Sequence, residues 1–160
     1  MLKRHFIFTL STVAFVAGCA SGSRAVSVAD TLAAQPQLST LSSLVVKSGL
    51  TDTLKSTGPF TVFAPTNDAF SKVPPATLQA LANDPDRLKA LLTYHVIAGK
   101  VMAADVKNGN AKTVNGANLA LSKAGEFVTV EDALVQIPDI AATNGVVHIV
   151  DGVLMPPAAR

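Results

Sequence analysis

The sequence predicts an α+β fold, with helices in its first half and strands in its second. Three observations carry this. Between residues 27 and 92, apolar side chains recur at helical spacing, punctuated by capping residues, glycines and prolines. From Tyr94 onward the pattern changes to short alternating runs separated by Asn-Gly and Gly turns. Strands and helices do not alternate regularly, as they would in a parallel βαβ chain.

Taken in order, Ser27 and Asp30 have the spacing of a capping box, so a short helix begins there and runs to Gln35, where Pro36 stops it. Leu38, Leu41, Leu44 and Val45 form the apolar stripe of a second helix that Gly49 ends. Leu50 and Leu54 add one more turn before Gly58-Pro59. Residues 60–64 (FTVFA) read as a buried strand closed by Pro65. Thr66 is a good N-cap, and Asn67 and Asp68 fall in the first turn of the next helix, where a carboxylate suits the positive helix end. Pro74-Pro75 breaks the chain, Leu78 and Leu81 mark another helix, and Asp84-Pro85 starts one carrying Leu88, Leu91 and Leu92. Residues 95–98 are then expected as a strand. Asn115-Gly116 gives a hairpin signal between residues 113–114 and 118–121. Further strands are expected at 127–130, at 134–137, and from Val146 toward Val153 and Leu154.

The first residues have a different character. Lys3 and Arg4 precede an apolar run over residues 6–17, too short for the roughly 20 residues that span a bilayer. That is the pattern of a secretory signal. Val16-Ala17-Gly18-Cys19 resembles a bacterial lipobox, with small residues before the cysteine whose thiol takes the lipid. The expected organisation is a lipoprotein signal peptide over 1–18, a lipidated Cys19 with a flexible tether to residue 26, and one folded domain over 27–157. An ordinary cleaved signal with an incidental cysteine is the competing reading. The tether, rich in Ala, Ser and Gly, has a root-mean-square reach of about 15 Å, which keeps the domain close to the bilayer. Ala20, rather than Asp, follows the cysteine, which favours the outer membrane if the host has one.

Removing the signal takes Lys+Arg from 13 to 11 against 11 Asp+Glu, so the remaining chain is close to neutral. A neutral chain without Trp, whose aromatics are Phe60, Phe63, Phe70, Tyr94 and Phe127, argues against nucleic acid as a partner. Cys19 is the single cysteine, so stability rests on a core rather than on bridges. About 130 residues with this apolar content suffice for one such core.

Residues 61–70 (TVFAPTNDAF) and 144–157 (NGVVHIVDGVLMPP), with Tyr94-His95-Val96 between them, resemble in order and spacing the two signature boxes and the tyrosine–histidine motif of the fasciclin (FAS1) family. The similarity runs from Leu38 to the second box and covers about three-quarters of the chain. It implies a β-sandwich or wedge with N-terminal helices packed on it, and a role in adhesion at cell surfaces. In animal members an Asp-Ile pair just before the second box and the tyrosine–histidine region are linked to integrin recognition. The resemblance therefore implies partner contacts at Asp139, Ile140, Tyr94 and His95, although the flanking Ile137 and Ala141 differ from that pattern.

The same residues have structural readings. Residues 65–68 cap backbone donors at a strand-to-helix turn. His95 and His148, set among apolar neighbours, read as buried and hydrogen-bonded. Asn144-Gly145 and Asp151-Gly152 read as turn and bulge residues. A metal site from His95, His148 and Asp151, or a hydrolase with His148 as base and Asp151 as its orienter, is the competing chemistry. No Gly-x-Ser-x-Gly elbow, HExxH, phosphate loop or CxxC supports it. The expectation is therefore a non-enzymatic, lipid-anchored module without cofactor or metal. It would bind a protein or polysaccharide of the cell envelope from the periplasmic or outer side, with the polar stretch 107–112 as a second exposed surface. A non-adhesive accessory subunit of an envelope complex is the alternative, and an enzyme with an unrecognised site a third.

Overall fold

The computed structural model describes residues 26–156. The signal and Cys19 lie outside the described residues, as does Pro157. Among the described residues six α-helices and seven strands follow one another as α1 (Val28–Ala34), α2 (Ser39–Lys47), α3 (Thr51–Lys55), β1 (Phe60–Pro65), α4 (Asn67–Ser71), α5 (Pro75–Asn83), α6 (Pro85–Tyr94), β2 (Val96–Ala98), β3 (Gly109–Lys112), β4 (Asn118–Ala124), β5 (Phe127–Val130), β6 (Ala133–Ala142) and β7 (Gly145–Val150), with a 3-10 turn, Pro36–Leu38, between α1 and α2. The helices form where local chemistry starts and stops them. Ser27 caps α1 through the Asp30 amide, Thr66 caps α4 through the Ala69 amide, and Asp84 takes the amides of Asp86 and Arg87 at the start of α6. Gly49, at a φ of 70°, lets the chain leave α2. The N-terminus of α2 has no cap of its own. The Asn67 side chain of α4 supplies one, its Oδ1 accepting the Thr40 amide at 3.0 Å.

The strands lie in the order β2-β1-β7-β6-β5-β4-β3. Only β1 and β7 run parallel, and every other neighbouring pair is antiparallel. The two ends of the sheet meet. Thr113 bridges to Ile97, and the Val114 amide donates to the Val96 carbonyl at 2.8 Å. This near-closure leaves little open edge. The alternation of β1 and β7 divides the interior in two. Val62, Ala64, Val147 and Ile149 face the helical core built on Leu32, Leu41, Leu54 and Leu92, whereas Phe63 and Val150 face a second core with Tyr94, Leu119, Val130 and Leu154. Helices packed on a curled sheet make the α+β fold that the sequence predicts.

Four elements differ from the sequence expectation. Tyr94 is the last residue of α6 and His95 its C-cap, so the strand begins at Val96. The run Leu88, Leu91, Leu92 extends the helix one residue into a stretch whose own composition favours a strand. The expected loop at 107–112 contains β3, paired to β4 from Gly109↔Leu121 to Lys112↔Asn118, which places the hairpin turn around Asn115-Gly116. The last strand stops at Val150, and Leu154 reaches the core from the segment beyond it. β6 runs on past Pro138 to Ala142 instead of stopping at Ile137. It does so through two register shifts against β7, one between Val135 and Ile137 and one between Ile137 and Ile140. Pro138 lies within the second irregularity, a place where a strand tolerates a residue without an N–H.

Candidate functional site

Two histidines organise the residues singled out in the sequence. His95 is 2% exposed. Its Nδ1–H donates to the Leu91 carbonyl at 2.8 Å, and its Nε2 accepts the Leu154 amide at 3.1 Å. An amide N–H can only donate, so Nε2 must be a lone pair and the ring is neutral. Burial pushes its pKa down to about 4, against the opposing pull of the Leu91 carbonyl. His95 thus ties the end of α6 to the segment that follows β7.

His148 is equally buried and carries the opposite tautomer. Its Nε2–H donates to the Val101 carbonyl at 2.8 Å, and its Nδ1 accepts the Asp139 amide at 3.1 Å. Its ring stacks on Phe63 with centroids 5.5 Å apart. Burial again lowers its pKa, opposed by the Val101 carbonyl and the Asp139 carboxylate.

Asp139 occupies the second irregularity of β6 with a φ of 58°, a left-handed conformation that Asp tolerates better than most residues. Its Oδ1 accepts the Ala103 amide at 2.8 Å. Thr61 completes the arrangement from β1: its hydroxyl donates to the Gly99 carbonyl at 2.7 Å and accepts the Val101 amide at 2.8 Å. The strap over residues 99–103 is therefore fastened by three side chains from three strands. Beside it, Ile137 is 44% exposed and Pro138 is exposed, while Ile140 is half-buried opposite Val147.

Tyr94 is 1% exposed, and its hydroxyl lies against the Glu131 carboxylate and the Asn118 carbonyl. Burial first, and the Glu131 carboxylate second, raise its pKa. Glu131, in the turn between β5 and β6, has a φ of 52°. Tyr94 and His95 thus face inward, and a partner reaches them only through the residues that cover them. Asp139 and Ile140 are half-buried, the Asp139 carboxylate engaged by the Ala103 amide and Ile140 packed against the helical core.

The competing chemistry of His95, His148 and Asp151 finds no common site. Asp151 accepts the Leu134 amide at 2.8 Å and its carbonyl takes the Lys72 ammonium, while each histidine closes on its own backbone partners. Among the described residues, no group of three or more His, Cys, Asp and Glu is placed to hold a metal ion. No helix among them is long and apolar enough to cross a membrane.

Two structural residues exceed their sequence reading. Asn144 accepts the Val28 amide at 2.8 Å and donates to the carbonyls of Leu54 and Ser56, so one side chain in the β6–β7 turn joins α1 to the end of α3. Gly145 follows it, and a Cβ there would overlap the Phe60 carbonyl oxygen. The Asn-Gly pair announces a turn, but no local signal shows that its side chain bonds across about 90 residues of chain.

The family model of the fasciclin domain matches residues 36–156. The chain belongs to the fasciclin family. It is 41% identical over 128 residues to Immunogenic protein MPB70 of Mycobacterium bovis, covering 77% of this chain and 65% of that protein. To Cell surface glycolipoprotein MPB83 of the same species it is 40% identical over 136 residues, covering 82% and 61%. To Protein sll1483 of Synechocystis it is 39% identical over 135 residues, covering 83% and 75%. Among solved structures, a FAS1 domain pair from the insect cell adhesion molecule fasciclin I superposes with a TM-score of 0.66 at 18% identity, over 82% of this chain and 51% of that one. At that identity the likeness concerns the fold. Within this fasciclin domain, the first box supplies β1 and the Thr66 cap, the second supplies β7 with His148, and the tyrosine–histidine pair ends α6.

Proposed function

We propose that this fasciclin domain is an extracytoplasmic binding module, lipid-anchored through Cys19, that engages a protein or polysaccharide of the cell envelope with the β6 irregularity around residues 137–140. The anchor reading rests on the signal-like N-terminus and on a relative described as a cell surface glycolipoprotein. The observation that carries the contact surface is the doubly shifted register of β6, which leaves Ile137 and Pro138 exposed on a segment whose backbone is fixed from inside by His148. Apolar groups presented on a rigid frame bind at low entropic cost. Such a surface needs no cofactor, and its role is adhesion or envelope binding rather than catalysis.

Crosslinking from intact cells tests it. A partner captured by the wild type and lost with Ile137→Ser, but retained with a Lys107/Lys112 double alanine, supports the β6 surface. Loss in the double alanine instead moves the contact to β3. Membrane fractionation of Cys19→Ser tests the anchor separately, and membrane association that survives this change overturns it.

A further inference from the structure

We propose that His148 is the positioning residue of the β6 contact segment and acts as a proton-released latch, holding the Asp139 amide when neutral and exchanging it for the Asp139 carboxylate when protonated. The inference rests on reading residues 137–140 as a contact surface, and it adds the regulation of that surface.

The geometry supplies each part. The neutral ring uses both nitrogens, Nε2–H toward the Val101 carbonyl and the Nδ1 lone pair toward the Asp139 amide. Adding a proton at Nδ1 puts two donors face to face, and the 3.1 Å contact with the Asp139 N–H cannot persist. An acceptor is already at hand. The Asp139 carboxylate is the charged group that acts on His148, and at present it holds the Ala103 amide. Turning it to the new Nδ1–H forms an imidazolium–carboxylate pair and sets the Ala103 amide free. The proton comes from solvent, and no covalent bond changes.

The elements packed on His148 offer no rival. β1 presents the Phe63 ring and the strap presents the Val101 carbonyl. The charged residues of the segment between β2 and β3, Lys100, Asp105 and Lys107, are exposed, and the Asp151 carboxylate just beyond the end of β7 holds the Leu134 amide. Thr61 marks the limit of the motion. Its hydroxyl keeps the Val101 amide whatever the charge on His148, so release is confined to Ala103 and to the bulge at Asp139. The left-handed Asp139 is the residue whose backbone must reorient, and its neighbours Pro138 and Ile140 move with it. Acid therefore alters the contact segment while β7 and β1 stay paired.

Amide hydrogen exchange on the intact domain tests this without any partner, so a failed latch is distinguishable from a failed contact surface. After correction for intrinsic rates, protection at Asp139 and Ala103 is expected to fall at least tenfold between pH 7.5 and pH 4.5. Val101, Val147 and Ile149 should keep theirs to within about threefold. His148→Asn, which retains an acceptor but cannot be protonated, is expected to abolish the difference. A uniform loss at all five amides, or the same loss in the variant, overturns the proposal. If the variant does not fold, the imidazole nitrogen shifts of His148 in the wild type decide. Their midpoint must coincide with that of the Asp139 and Ala103 amide shifts, and separate midpoints overturn the latch.

Discussion

β1–β7 and β6–β7 share a strand and behave in opposite ways. The parallel pair is regular, with six residues in unbroken register from Phe60↔Gly145 to Pro65↔Val150. All of β7 is buried, and Gly145 lets the backbone of Phe60 approach more closely than any side chain allows. The antiparallel pair slips twice within eight residues, at Val135–Ile137 and Ile137–Ile140. The regular side serves packing, since each residue of β7 alternates between the two cores. The slipped side presents residues to solvent and needs side chains, His148 and Asp139, where the ladder would otherwise supply bonds. The contact surface proposed above therefore rests on the irregular ladder rather than on the two motif boxes.

The largest effect is expected on the regular side. Gly145→Ala places a methyl group on the Phe60 carbonyl oxygen, against backbone that cannot give way without parting β1 from β7. A loss of about 4 kcal/mol or more is expected, at the upper end for single substitutions, read by urea unfolding. A change below about 1 kcal/mol would show that the two strands are not tightly apposed.

Acid comes next, because it acts on both buried histidines, His95 at the end of α6 and His148 on β7. An unfolded imidazole takes its proton near 6.5, whereas folded His95 resists until about 4. Between these values the unfolded chain binds more protons, so stability rises with pH. The contribution is fully present above about 6.5, is lost as pH falls, and is gone below about 4. For His95 alone the loss is roughly 3 kcal/mol. His148, whose pKa is also lowered by burial, adds to the same window. Unfolding free energies from pH 7.5 to 4.5 check this, and His95→Gln should flatten the slope. An unchanged slope would remove His95 as its source.

Tyr94→Phe tests the far side of the second core. It removes the hydroxyl shared with Glu131 and Asn118 while keeping the ring. Glu131 is exposed and can be rehydrated, so the expected cost is about 1 kcal/mol. A larger loss would mean that the turn between β5 and β6 depends on this bond.

Legibility follows the range of the interactions. Ser27, Thr66 and Asp84 act on amides two or three residues away, and each cap is readable from spacing alone. The alternation of β1 and β7 is equally local. Tyr94 and Glu131 are 37 residues apart, and nothing in either neighbourhood names the other. Asp139 and His148 both stand out in the sequence, one as a contact and one as a buried histidine. Their pairing depends on a register shift that no pattern of period two can announce. Pro138 is compatible with β6 for the same reason, since a proline is excluded from a regular central strand but tolerated in a bulge.

The smallest effect on stability is expected at Ile137, and it separates the two sides most cleanly. The side chain is 44% exposed, although its backbone pairs with Ile149. Ile137→Ser therefore removes apolar surface that contributes little to the core, and the unfolding free energy should stay within about 0.5 kcal/mol of wild type. If the slipped ladder exists to present this segment, the same substitution should abolish capture of an envelope partner. Capture that survives, with stability unchanged, would leave the β6 irregularity without an external role and return its explanation to the packing of His148 and the strap.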